Sequence, residues 1–503
     1  MSIIINDDFQ RMVTLAYERG WKPGAFGEKE IRADIRRFAD TEVSDFFLNL
    51  NAQLSYSPSS LWETAGEKYL KTEENGEKVD FKNTYLAVWH DVFTVQGLDL
   101  YKIAIDELRN CGIRPWLSFR LNDTHDNATM SGGIRRSDYT YAARGEGLSR
   151  MRHREKCGYY DDCLDYEIAS VREHHLSYIK EQLERYDADG IELDWLREPF
   201  CFLPGHEEEG AAIITAFMEE VKALAREAEA RYAHPVKIAV RVMGDPENNR
   251  LLGFDIPQWM EKGLIDLIIP SPRWQSNNDN MPMELWKALV KPYGVRLAAG
   301  LTDRVMARPD GGFAPLTPEI TAGLAMNYLS RGADDVYLFN YTYLVKDEIA
   351  VEDPYAIHFD KDPLVVLDYV GDVAKLKKAE RRHIASFQDV GAPGGQVRRT
   401  LPLPLKPNKA NDGWTWLLIP TGYAAGEATL RLAFSEDAGE VGVFLNAEAC
   451  REIPLVPCDT DKDLAPAGLH AYRPGKLSGN AQLLEVKAEK GELLYAEIAI
   501  KGE

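Results

Sequence analysis

The stretch Tyr186-Asp187-Ala188-Asp189-Gly190-Ile191-Glu192-Leu193-Asp194-Trp195-Leu196-Arg197-Glu198 decides how this chain is read. A Glu- and Tyr-rich helical segment ends at Tyr186, Gly190 opens a strand, and the strand carries acids at i and i+2. Strand side chains alternate between two faces, so Glu192 and Asp194 share one face while Ile191, Leu193 and Trp195 share the other. The apolar set must pack against helices, which sends both carboxylates to the inside of the sheet. Burying two unpaired charges there costs several kcal/mol unless cations, hydrogen bonds or a ligand meet them.

Working outward, short β-branched or apolar runs alternate with amphipathic stretches, the pattern of βα units in a parallel sheet. Eight strands are expected, over residues 3–6, 45–52, 114–120, 190–195, 237–242, 267–270, 296–302 and 335–341. Helices are expected between them, among others over 98–111, 166–186, 207–232, 282–292 and 318–331. Eight such units close a (β/α)8 TIM barrel. A doubly wound open sheet is the alternative, but no G-x-G-x-x-G follows any strand. Two connections, 53–95 and 121–164, are far longer than usual, and each follows a strand, which sets it over the C-terminal face of a barrel. They carry Tyr56, Trp62, Tyr69, Tyr85, Trp89 and His90, then His125, Tyr139, Tyr141, His153, Tyr159 and Tyr160, side chains suited either to sugar rings or to packing the loops down.

An amphipathic helix is expected over 363–387, followed by a Gly/Pro-rich linker at 389–395. Beyond it the helical period disappears. Alternating runs at 399–405, 414–419, 428–434, 440–445, 483–486 and 493–500 read as a β-sandwich. The expected domains are a barrel over 1–390 and an accessory sandwich over 391–503.

The chain has 503 residues, 45% apolar and 28% charged, which excludes disordered, collagenous and small disulfide-stapled classes. With 80 acidic against 59 basic side chains the net charge is -21, which disfavours nucleic acid and anionic membrane as partners. No apolar run approaches membrane-spanning length, and the six cysteines form no C-x-x-C pair. A cytoplasmic location is expected for the chain as it stands, or a secreted or periplasmic one if a signal peptide has been removed. Oligomeric state is left open.

The segment Tyr186-Asp-x-Asp-Gly190-Ile-x-x-Asp194 resembles the fourth-strand motif of glycosyl-hydrolase-like barrel proteins, the family-10-like group, and the resemblance extends over about residues 1–390. It implies a glycosidase-type barrel acting on a carbohydrate, and the terminal sandwich is similar in position to those appended to many glycosidases. True family-10 enzymes pair an Asn-Glu acid/base after strand four with a Glu on strand seven. Here the two strands end in Asp194-Trp195 and Leu301-Thr302-Asp303, so that pair does not carry over. Retaining α-glycosidases, with an Asp nucleophile at the end of strand four, are the nearer analogy.

Glycoside hydrolysis needs one carboxyl group to protonate the leaving oxygen and one to attack or activate water. Asp194 is the expected nucleophile or base, with Glu192 beneath it tuning its charge. The acid is sought among Glu198, Asp245, Asp279 and Asp303, each of which is alternatively a surface charge or helix cap. Expected substrate-binding residues are Asn49, Asn51, Trp89, His90, Arg120, Asn122, His125, Arg197, Arg241, Arg273 and Tyr341. Arg120, Arg197, Arg241, Arg273 and Arg304 recur at five strand ends and suggest an anionic saccharide, although Arg120 and Arg241 are equally explained as partners of Glu192 and Asp194. No cofactor or metal is expected: Asp123-x-His125 is a weak ligand pattern, and neither a nucleophile elbow nor a P-loop occurs. A carbohydrate-binding barrel without turnover, or a sugar-acid lyase or isomerase, is the alternative.

Overall fold

The computed structural model describes residues 1–126, 133–148, 160, 162–273, 276–344, 362–386, 400–405, 414–458 and 461–503. His153, Tyr159 and the expected linker at 389–395 lie outside them.

Eight parallel strands close into a barrel in sequence order: β1 (Ile3–Asp7), β2 (Val43–Asn49), β3 (Arg114–Arg120), β4 (Gly190–Asp194), β5 (Lys237–Met243), β6 (Leu267–Ser271), β7 (Arg296–Leu301) and β8 (Asp335–Phe339). The barrel is wrapped by helices, among them α1 (Gln10–Glu18), α2 (Glu28–Arg36), α3 (Leu100–Asn110), α4 (Ala169–Arg185), α5 (Glu207–Tyr232) and α6 (Pro318–Ser330). Ile191, Leu193 and Trp195 join the helix-facing core. Inside, Ile4, Phe47, Trp116, Ala239, Leu267, Ala298 and Tyr337 fill the middle of the barrel. Gly190 is required there: a Cβ on it would lie 2.3 Å from the Trp116 ring. Beneath this plug, Asp45 binds Arg114 (2.7 Å) and Asp335 binds Arg296 (2.7 Å), neutralising the inward charges at the N-terminal face.

The strand expected to run to Tyr341 stops at Phe339, because Asn340 takes a left-handed φ of 52° and Tyr341–Leu344 turns into a 3-10 helix. The helix expected over 363–387 does not form. Pro363–Asp368 is a 3-10 turn, Val373–Leu376 a single helical turn, and Arg381–Ile384 a strand. The charges that read as a solvent-facing helix side are instead sequestered, with Arg382 forked onto buried Glu497.

Arg381–Ile384 pairs antiparallel with Glu492–Ile500 in a sheet that continues through Ala428–Phe434, Leu469–Arg473 and Arg451–Ile453. A second sheet runs Trp414–Pro420, Ala481–Lys487, Gly442–Leu445, Glu448–Ala449, and the two enclose a separate apolar core. Leu469–Arg473 and Arg451–Ile453 were not anticipated from sequence. The sandwich sits tightly on α6, where a Cβ on Gly323 would approach the Arg382 carbonyl to 2.1 Å.

Candidate active site

The barrel register fixes the core of the site. Arg120, Asp194 and Arg241 are direct neighbours on β3, β4 and β5, one inward step above Ser118, Glu192 and Ala239. Glu192 is fully buried and accepts hydrogen bonds from Tyr337 (2.6 Å), Ser118 (2.5 Å) and Asn6 (2.7 Å). Burial, reinforced by the Asp194 charge above it, holds its carboxyl above the usual range. Asp194 is 1% exposed, and Arg241 Nη1 donates to both of its oxygens, at 3.0 and 3.1 Å. Its Oδ1 also accepts the Leu196 N–H at 3.0 Å. Arg241 spends its remaining donors on Ser271 and on the Pro272 and Arg273 carbonyls, with its guanidinium 3.8 Å from the Phe339 ring centre.

Around this pair the strand ends supply alternating acids and arginines. Arg120 binds Asp8 after β1 (3.0 Å) and Asp123 (3.4 Å). Burial would raise the Asp8 carboxyl, but Arg120 and Arg197 override it and hold it low. His125 Nδ1 lies 2.7 Å from Asp123, and Arg197 Nη2 points at its Nε2 at 2.8 Å. A guanidinium can only donate, so this geometry fits a neutral imidazole protonated at Nδ1. Burial pushes the His125 pKa down to about 4 in spite of Asp123, which agrees with a neutral ring. Arg197 also approaches Asp123 (3.7 Å). Glu198 and Arg273 form a buried fork with contacts of 2.7, 2.9 and 3.1 Å.

Asp303, after β7, is less enclosed than Asp123, Asp194 and Glu198, each of which is 1% exposed. Its side chain keeps 14% exposure, and its Arg304 contact is a single one at 3.3 Å. Burial holds its carboxyl above the usual range against the pull of Arg304 and the more distant Arg197. It therefore favours its proton more than a free carboxyl does, which suits a general acid.

The structure gives other expected site residues local partners. Asp245 caps the short helix Pro246–Leu251 by accepting the Glu247 N–H (2.8 Å). Asp279 is buried beneath the sandwich and accepts the Ser386 N–H (3.1 Å). Asn51 pins Arg120 and Ala52 backbone, and Asn122 ties Leu164 to Phe200. Trp89 is stacked between Tyr56 and Phe93, His90 lies against Tyr69, and the Tyr341 hydroxyl meets Thr321. Asn49 Oδ1 is buried inside the barrel with no hydrogen-bond partner among the described residues. Sequence reasoning passed over Asp8 and Phe339. Asp8 was detectable as an acid just past the apolar Ile3-Ile4-Ile5 run, whereas nothing marked Phe339 as the platform under Arg241.

Among the described residues, one group of acids is close enough to share a cation, Glu63, Glu74 and Asp138 in the connections over the barrel. Lys71 already reaches all three, at 2.6, 3.3 and 2.7 Å, so it supplies the balancing charge. No helix among the described residues is long and apolar enough to cross a membrane.

No family model matches the chain, and no curated protein matches it. Solved structures do. A cycloisomaltooligosaccharide glucanotransferase from Paenibacillus sp. matches over 99% of this chain and 57% of its own, at 9% identity and a TM-score of 0.34. The chain thus spans little more than half of that protein. The glycoside hydrolase domain of PgaB from Bordetella bronchiseptica matches over 68% of this chain and 94% of its own, at 12% identity and a TM-score of 0.39. An alpha-L-fucosidase from Paenibacillus thiaminolyticus matches over 97% and 96%, at 14% identity and a TM-score of 0.32. These neighbours are carbohydrate-active enzymes of several families; identities and TM-scores at this level say nothing of this chain's activity.

Proposed function

We propose that the protein is a glycoside hydrolase that cleaves O-glycosyl bonds in an oligo- or polysaccharide at the C-terminal mouth of its barrel. Asp194 is the nucleophile or base, Asp303 the general acid, and Glu192 a buried positioning residue beneath Asp194. Within this reading the chain is a family-10-like barrel without the catalytic pair of true family-10 enzymes. One observation carries the proposal: two carboxyl groups at the ends of β4 and β7 occupy opposite settings, Asp194 matched by a guanidinium at 3.0 Å and Asp303 pushed towards its protonated form by burial. Hydrolysis asks for that division of labour.

A carbohydrate-binding barrel without turnover is favoured by a different fact, the 1% exposure of Asp194 beneath Arg241. A screen of labelled glycosides and polysaccharide fragments against the wild type, Asp194→Asn and Asp303→Asn separates the two. Release of reducing ends by the wild type alone supports the hydrolase. Retained binding with no turnover by any form supports the binder.

A further inference from the structure

The outer face of the second sandwich sheet carries apolar side chains where an antiparallel sheet facing water is expected to be polar. Thr415, Leu417 and Ile419 of Trp414–Pro420 are buried, so Trp414, Trp416 and Leu418 point outward. Trp416 is 54% exposed and Leu418 is 50% exposed. On the neighbouring strand, Ala481–Lys487, exposed Leu483 lies opposite Leu418, Glu485 opposite Trp416 and Lys487 opposite Trp414. Phe444, on Gly442–Leu445, lies opposite Glu485 from the other side, and its ring meets the Trp414 ring at 4.9 Å. Two indoles, a phenyl ring and two leucines thus surround one acid and one base on a single face.

The size and the charges of this face limit what it can take. It runs about 13 Å along the strands and about 10 Å across them. An open sheet face has no walls to enclose a small molecule. A footprint of at most about 300 Å² also falls well short of the roughly 800 Å² per partner of a stable protein interface, which argues against a second copy of the chain. Glu485 gives one oxygen to the Ala447 N–H (2.9 Å), Lys487 lies over the Trp414 ring (5.5 Å), and neither has an ion-pair partner among the described residues. An apolar protein surface laid over them would strip water from two charges and offer nothing in return. Sugar rings meet both needs: their C–H faces cover the aromatic rings, and their hydroxyls donate to Glu485 and accept from Lys487 while water keeps access to both. The two charges cancel, which suits an uncharged polymer. We propose that this face of the sandwich binds an extended neutral polysaccharide, with Trp416 as the principal stacking platform. The class of polymer rests on the carbohydrate reading of the barrel, whereas binding here needs no turnover there.

Electrophoresis of the full chain through native gels containing amylose, xylan or galactomannan reads this binding directly. The wild type should be retarded in at least one of the three. Trp416→Ala should weaken that affinity about tenfold, as loss of an aromatic contact predicts. Leu418→Ser, at the other end of the face, should weaken it about threefold. Thermal melts control for folding, and if one variant is unstable the other decides. Asp194→Asn, altered at the barrel mouth, should be retarded like the wild type, and Trp416→Ala should match the wild type on short glycosides, so the binding face and the hydrolase reading fail separately. No retardation of the wild type in any gel, wild-type retardation of either folded face variant, or loss of retardation in Asp194→Asn would each overturn the proposal. So would a wild-type dimer in sedimentation that Trp416→Ala splits into monomers.

Discussion

Asp194 and Arg241 sit side by side on adjacent strands, both fully enclosed, and one guanidinium nitrogen of Arg241 holds both Asp194 oxygens. Removing one partner of such a pair strands the other charge, at a cost of about 3 to 5 kcal/mol. Asp194→Asn keeps one acceptor for Arg241, whose other donors remain on Ser271, Pro272 and Arg273, so the variant should fold with a melting temperature lowered by several degrees. Its turnover should fall by about 10³-fold or more, because an amide neither attacks nor accepts the proton. A folded variant that retains most of its activity would remove Asp194 from the mechanism.

Asp303 should set the alkaline side of the activity profile. A general acid works only while protonated, and burial raises the Asp303 carboxyl, so activity is present below its folded pKa and lost as pH rises through it. Asp303→Asn should flatten that limb. It should also spare aryl glycosides with good leaving groups, which need little protonation, and cost about 10² to 10⁴-fold on poor ones. Equal losses on both substrate classes would count against the acid role.

Asp279 offers a stability test away from the mouth. Burial pushes its carboxyl up to about 7, partly opposed by hydrogen bonds from Ser386. A raised folded pKa means that the contribution to stability is complete below the ordinary carboxylate range and is lost as pH rises through about 7. A tenfold change in proton affinity corresponds to about 1.4 kcal/mol, so this group alone should cost a few kcal/mol between about pH 4 and pH 8. Asp279→Asn keeps the acceptor for the Ser386 N–H and carries no charge. It should match the wild type near pH 3, below the ordinary carboxylate range, and melt at a higher temperature near pH 8, as read by calorimetry at the two pH values.

The barrel was legible because its strands are apolar runs of period two set between longer helical segments, and the inward pointing of Glu192 and Asp194 followed from that alternation alone. Gly190 was legible as a strand opener, but its contact with Trp116 was not, since the two residues meet only when β3 and β4 align. Arg381–Ile384 misled for a related reason. Charged side chains in sequence look solvent-facing, and the acid that buries Arg382 is Glu497, more than a hundred positions away. The candidate site was legible as a set of strand ends, but which acid meets which arginine depends on side-chain reach across neighbouring strands. Local caps such as Asp245 are indistinguishable in sequence from acids that face the mouth.

The arginines decide the last prediction, the charge of the substrate. Five of them at strand ends suggested a surplus of donors for a uronate, but each has a carboxylate partner: Arg120 has Asp8 and Asp123, Arg197 has Asp123, Arg241 has Asp194, Arg273 has Glu198 and Arg304 has Asp303. A uronate entering the mouth would compete with these acids rather than meet unmatched cations, and it would lie close to their negative charge. Any attraction gained at one guanidinium is therefore offset by repulsion from its partner, and the net preference should be small. The expected kcat/KM for a uronate-bearing substrate lies within about threefold of that for its reduced, neutral analogue, a difference under about 1 kcal/mol, and varies little with salt. Arg304 is the arginine to test, because it meets Asp303 at 3.3 Å without the fork that joins Arg273 to Glu198. A preference of tenfold or more for the uronate, weakening as salt is added and lost in Arg304→Met, would show that an arginine leaves its acid for the substrate.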